Sequence, residues 1–251
     1  MKNIFPLISP GSIPWIETEQ MIEVDRAMEE DFNILLIQMM ENAGRCLAIV
    51  ARSLLDDKPT GRHVSVLAGT GGNGGGALVA ARRLWGWGAN VSVLTTRSED
   101  RFGEVPARQL GILKRMEVPV FESGSLEDGP APDLVVDGLI GYSLNGAPRG
   151  RAAELIRSAN ESKAPTLSLD VPSGLDASSG SVFDPSIRAC ATVTLALPKE
   201  GLRHPEAREK VGDLYLADIS VPPEVYRSAP LDLRFTSPFD VSDVVRIDIS
   251  S

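Results

Sequence analysis

Cysteine and histidine are scarce in this chain, with two of each in 251 residues. Cys46 and Cys190 cannot build a disulfide framework, and neither sits at metal-ligand spacing. Both stand among small or apolar residues, as expected of buried thiols in a reducing, cytoplasmic compartment. His63 and His204 alone cannot make a histidine-rich metal site. Long apolar runs are missing too. The apolar residues of 4–16 are broken by Pro6, Pro10 and Pro14, which leaves no signal peptide and no membrane span. Excess positive charge is also lacking. A formal net charge of −9 argues against non-specific binding to nucleic acid or anionic membrane. An anionic ligand must then be held by local devices, such as backbone N–H groups, a helix end, a few Lys or Arg, or a bound cation.

Glycine is plentiful. The stretch 64–84, VSVLAGTGGNGGGALVAARRL, runs from an apolar segment through glycines at 69, 71, 72, 74, 75 and 76 into an Ala-rich helical pattern. Glycine permits positive φ and lets a ligand approach the backbone closely. A loop of this kind opening a helix aims free N–H groups and the positive end of the helix dipole at an anion. Gly69-x-Gly71-x-x-Gly74 fits the dinucleotide fingerprint in spacing and context. The next strand ends in Thr95-Thr96-Arg97, with Glu99 and Asp100 beyond, so the acidic residue that should meet a ribose is only partly matched. A plain tight turn is the competing reading. No Gly-Lys-Ser/Thr follows, against a Walker-type loop.

Around this loop, strands alternate with helices. A helix capped by Thr18 is followed by a second over about 32–55, with Ile34, Leu35, Ile37, Met40, Ala43 and Leu47 at three- and four-residue steps. Strands are expected at 63–69, 90–95, 118–121, 133–137, 165–170 and 191–197, with a last strand or strand pair over 212–219. Helices are expected at 74–87, 103–115 and 150–160, and the tail after Pro222 reads as irregular. This alternation predicts an α/β fold, a three-layer α/β/α Rossmann-like sandwich with a mainly parallel sheet. No repeat or linker interrupts it, so 1–251 is read as one domain.

In such a sheet, ligands gather at the carboxyl ends of the strands. Three further strand ends carry polar chemistry: Asp137 to Ser143, Asp170-Val-Pro-Ser173-Gly174, and Thr194 to Lys199. Each alone reads equally well as turn former, cap or solvated end. Their convergence with the glycine loop on one edge favours a site. Asn73, Asp137 and Ser173 offer oxygen ligands only, with one carboxylate among them, which suits a monovalent cation better than zinc or calcium.

Taken together, these motifs resemble the NAD(P)H-hydrate epimerase family, the YjeF N-terminal domain. Glu19, Met21 and Asp25 match its first helix, and Met40-Glu41-Asn42-Ala43-Gly44 its second. Gly69 to Ala77 correspond to its Gly-x-Gly-Asn-Asn-Gly-Gly-Asp-Gly loop, and Val136-Asp137-Gly138-Leu139-Ile140-Gly141 to its Val-Asp segment. Asp170 to Gly174 meet its Asp-hydrophobic-Pro-Ser-Gly segment in full, and Thr194 to Lys199 its Thr…Lys segment, one residue short. The resemblance covers about residues 15–225. The departures that matter lie in the glycine loop: its first Asn is Gly72 and its Asp is Gly76.

The resemblance implies interconversion of the R and S forms of hydrated NADH or NADPH, a nicotinamide nucleotide repair reaction. It implies substrate binding by Gly72, Asn73, Gly74, Gly75 and Gly76, by the loop Gly141, Tyr142, Ser143, Leu144, Asn145, Gly146 and Ala147, and by Asp170. It further implies one potassium ion per subunit on Asn73, Asp137 and Ser173, and a homodimer, for which the N-terminal helices are the candidate surface. Asp170 is the candidate acid/base, with Lys199 second, for proton handling or pyrophosphate contact. Exchanging Asp170 for Asn is expected to stop turnover and leave the fold largely intact, and Gly76→Asp to restore a substrate-facing carboxylate. No dehydratase domain is expected to be fused. Two other classes stay open on the residues alone: a non-catalytic nucleotide-binding or scaffold domain of the same fold, and an enzyme for another dinucleotide or nucleoside.

Overall fold

The computed structural model describes residues 5–249, so residues 1–4 of the expected N-terminal arm lie outside it. The elements run β1 (Leu7–Ile8), α1 (Thr18–Arg26), α2 (Leu36–Leu54), β2 (His63–Ala68), α3 (Gly72–Gly86), β3 (Asn90–Thr95), α4 (Glu104–Arg115) and β4 (Val120–Phe121). They continue with β5 (Leu134–Gly138), α5 (Gly150–Glu161), β6 (Thr166–Leu169), β7 (Ala191–Leu195), α6 (Arg208–Val211), β8 (Asp213–Ala217), α7 (Pro223–Arg227) and β9 (Val244–Ile247). All the strands join one sheet in the order β1-β9-β8-β7-β6-β5-β2-β3-β4. Every pairing is parallel except β8 with β9.

Strand alternation distributes the core between the two sheet faces. Val64, Val66 and Ala68 of β2 pack into one cluster with Leu47, Leu78, Leu84 and Leu110 of α2, α3 and α4. Leu67 points the other way, to Val135, Leu155 and Ile156, so α5 covers the second face. A parallel strand buried on both faces reads as a near-continuous apolar run, which is why β2 and β5 were legible in the sequence. Among the described residues, no helix is long and apolar enough to cross a membrane.

Several boundaries differ from the sequence expectation. Glu17, not Thr18, caps α1, its N–H donating to Gln20 Oε1 at 3.0 Å. The chain then passes through a π turn, Ala27–Asp31, and a left-handed Asn33, so α2 begins only at Leu36. The helix after the glycine loop starts at Gly72, inside the loop itself. The tail after Pro222 is not wholly irregular. It forms α7, then β9, whose Val244, Val245 and Ile247 are buried beside β8. That pairing joins segments about 30 residues apart, and a four-residue strand carries too little periodicity to announce it.

Candidate functional site

Because β2, β5, β6 and β7 are parallel, the loops 69–76, 137–147, 170–175 and 198–201 leave the sheet on one edge. There they bound a cavity of about 690 Å³, whose roof is completed by Met21, Asp25 and Met39 from the N-terminal helices.

The glycines of the loop divide into two kinds. Gly71 and Gly72 are exposed, and a Cβ on either would meet nothing within 4 Å. They open α3 toward the cavity, and the first intrahelical bond of this turn is Gly75 N to Gly71 O at 3.0 Å. The N–H groups ahead of it have no intrahelical acceptor and form a natural anion cradle. Gly74, Gly75 and Gly76 are buried within the helix and do not line the cavity. A Cβ at Gly74 would lie 1.9 Å from Gly69 O, one at Gly75 2.5 Å from Met40, and one at Gly76 2.7 Å from Leu169 Cδ2. Packing against α3 is thus enough to require glycine at these three positions, whatever their backbone contacts.

Asp170 ends β6 in the left-handed region, φ +65°, a conformation Asp tolerates better than most residues. Its N–H donates to Val193 O at 2.6 Å, which pins the turn to β7. Lys199 Nζ stands 2.6 Å from Asp170 Oδ1 and donates to Leu195 O at 2.8 Å. Asp170 Oδ2 accepts from Tyr142 N at 3.2 Å. Both members of this ion pair are withdrawn from solvent yet line the cavity. Above them, Tyr142 Oη donates to Asp25 Oδ2 at 2.5 Å. Burial lifts the Asp25 carboxyl above the ordinary carboxylate range, against the pull of the Tyr142 hydrogen bond and the Lys199 charge.

Asp137 is fully buried behind the cavity wall. Oδ1 accepts from Ser173 Oγ (2.6 Å) and Leu139 N (3.2 Å), and Oδ2 from Ser168 Oγ (2.8 Å) and Ser173 N (2.9 Å). Burial nevertheless raises its pKa, and no basic side chain among the described residues pairs with it. Ser173 Oγ also accepts from Ile140 N at 2.9 Å. Asn73 Nδ2 donates to Leu169 O at 3.0 Å, and its Oδ1 lies against Gly141, where a Cβ would be 3.1 Å away. The three oxygen-bearing side chains therefore converge on the backbone of residues 138–141.

Of the second loop, Gly141, Tyr142 and Ser143 line the cavity, whereas Leu144, Asn145, Gly146 and Ala147 continue past its rim. Sequence reasoning assigned no role to Glu29, Arg149 or Arg151, which line the same cavity, nor to Asp25 and Arg97 beyond quoting them within motifs. Arg97 was legible as the residue following the second strand of the fingerprint unit. Arg151 was legible only as the first turn of the helix after β5.

Fold and cavity define a class, a Rossmann-like α/β/α domain with a cleft suited to a nucleotide at the carboxyl edge of its sheet. Residues 36–201 match the family model described as YjeF-related protein N-terminus, and the chain belongs to that family. It is 44% identical over 243 residues to an NAD(P)H-hydrate epimerase of Dehalogenimonas lykanthroporepellens, covering 97% of this chain and 94% of the relative. It is 38% identical to an NAD(P)H-hydrate epimerase of Cenarchaeum symbiosum, covering 74% of this chain and 86% of the relative. The crystal structure of the yeast protein ynu0 superposes with a TM-score of 0.75 at 26% identity, covering 93% of this chain and all of that one.

Proposed function

We propose that the protein interconverts the R and S forms of hydrated NADH and NADPH. The reading is carried by the Asp170–Lys199 pair in the wall of a cleft that also contains a helix N-terminus, in a chain whose relatives bear the epimerase name. The substrate is a carbinolamine, with hydroxyl on a carbon bonded to ring nitrogen. Asp170 gives a proton to that hydroxyl while the nitrogen lone pair expels it as water, leaving a planar iminium. Water adds to the opposite face and returns its proton to Asp170. Lys199 lends Asp170 that proton through their 2.6 Å contact and takes it back once water has added, so each cycle ends on the ion pair it began from. Gly71 and Gly72 leave room for the pyrophosphate at the start of α3, and Tyr142 and Met21 shield the reacting ring from bulk water.

Potassium belongs to the same reading. Asn73, Asp137 and Ser173 fit it in chemistry, being all-oxygen with a single buried carboxylate that has no basic partner. Bound there, the ion would offset the Asp137 charge and tie α3 to the 138–141 loop. The exposed Ile22 of α1, with Phe32 and Leu35 on the link to α2, suits a homodimer contact. Both thiols are free, Cys46 buried as expected and Cys190, against the expectation, exposed, which suits a reducing, cytoplasmic setting. The test is incubation with purified R-epimer of NADH hydrate. Appearance of the S form at a rate proportional to protein supports the reading, and its absence at high protein concentration overturns it.

A further inference from the structure

The order of the strands lays the cleft out as a ruler. Arg97 follows β3 and Lys199 follows β7, and β2, β5 and β6 lie between them. Four inter-strand steps span about 19 Å. The α3 N-terminus rises from β2, between the two ends. A dinucleotide with its reacting ring at Asp170 and Lys199 and its pyrophosphate at Gly71 and Gly72 must therefore send its adenosine toward the end of β3. In dinucleotide folds an acidic side chain at that strand end takes the ribose hydroxyls, whereas arginine there accommodates a 2′-phosphate.

Here the strand end reads Thr95-Thr96-Arg97, without an acid. The carboxylates that follow are engaged elsewhere: Glu99 pairs with Lys114 at 2.7 Å, and Asp100 accepts from Ser98 Oγ at 2.5 Å. Among the described residues Arg97 enters no ion pair or side-chain hydrogen bond, and it lines the cavity. Arg151, in the first turn of α5, the helix that follows β5 beside β2, has a side chain only 18% exposed. Its Nε and Nη2 are buried without a hydrogen-bond partner, and its one ion pair, to Glu154, is 3.6 Å long. Buried guanidinium donors left unpaired are costly, and a phosphate satisfies them with matching geometry.

We infer that Arg97 recognises the 2′-phosphate of a phosphorylated dinucleotide and that Arg151 clamps the pyrophosphate, so NADPH hydrate is preferred over NADH hydrate. The inference rests on the dinucleotide reading above but not on turnover. Its test is calorimetric titration of the full chain with 2′,5′-ADP, 5′-AMP, NADP⁺ and NAD⁺. Wild type should bind 2′,5′-ADP at least about tenfold more tightly than 5′-AMP, a typical gain for one charged pair. Arg97→Ala should abolish that preference and leave 5′-AMP binding unchanged, and Arg97→Lys should restore part of it. Arg151→Ala, or Arg151→Gln if the first variant folds poorly, should weaken NADP⁺ and NAD⁺ by the same factor. Equal wild-type affinity for 2′,5′-ADP and 5′-AMP, no measurable binding of 2′,5′-ADP, or equal loss for both in Arg97→Ala overturns the inference. A chain that discriminates through Arg97 but does not epimerise fails the function proposed above and keeps this one. A chain that epimerises both hydrates with equal kcat/KM, unchanged in Arg97→Ala, does the reverse.

Discussion

Lys199 Nζ lies 2.6 Å from Asp170 Oδ1, and neither side chain is more than 3% exposed. The pair is separated by 29 positions in sequence and joined because β6 and β7 are parallel neighbours that end together. It changes the expected behaviour of the principal variant. Asp170→Asn should lower turnover about a hundredfold or more, since the amide cannot cycle a proton. It should not leave the fold untouched. Stranding a buried ammonium costs about 3–5 kcal/mol. Urea unfolding should show a large loss in Asp170→Asn and partial recovery in Asp170→Asn with Lys199→Met, while both stay inactive. Full activity in Asp170→Asn would remove Asp170 from the mechanism.

Asp25 gives a pH signature. Burial raises its folded pKa above the ordinary value of 3.8, so the native state holds a proton that the unfolded chain has released. The stability associated with Asp25 is then fully present below about pH 4 and is lost as pH rises through the elevated folded value. Asp25→Asn should melt higher than wild type at pH 7, with the difference closing below pH 4. Melting curves across that range check it, and a difference independent of pH would show that Asp25 is not the titrating group.

Thermal unfolding in potassium against choline tests the cation. At a hundredfold above its dissociation constant the ion should stabilise by about 2.7 kcal/mol, a rise of roughly 5–10 °C in a chain of this size. Asn73→Ala and Ser173→Ala should lose that rise. An equal rise in both variants would place the ion elsewhere.

Gly76→Asp is no simple restoration. Leu169 Cδ2 occupies the space of the added Cβ, at 2.7 Å, and Ala43 stands at 3.9 Å. Overpacking alone should cost about 1–3 kcal/mol, and the buried carboxylate adds to that. Leu169 and Ala43 both line the cavity, so Gly76→Asp with Leu169→Ala opens a path for the carboxylate to reach it. The double variant should recover stability relative to Gly76→Asp alone, as read by denaturant midpoint.

If the N-terminal helices form the dimer contact, Ile22→Glu with Leu35→Glu should yield a monomer, since these side chains are 53% and 54% exposed in the single chain. Light scattering at micromolar concentration reads this directly, and a monomeric wild type would refute the contact.

What the sequence determined by itself was the local content: apolar strand runs at β2, β5 and β7, helical spacing in α2, the glycine-opened helix, and Asp137, Asp170 and Ser173 at strand ends. Each of these depends on neighbours a few residues away, so periodicity and turn chemistry reveal them. The tertiary structure decided what those residues face. Gly74, Gly75 and Gly76 belong to the glycine pattern, but only the fold shows that Gly69, Met40 and Leu169 also leave no room there for a side chain. Asp25 meets Tyr142 across 117 positions, and β9 joins β8 from a tail without pattern. Arg97 and Arg151 share a cavity only because β3 and β5 flank β2. A side chain's partner is set by sheet order and packing, and neither is encoded within the span over which a sequence pattern repeats.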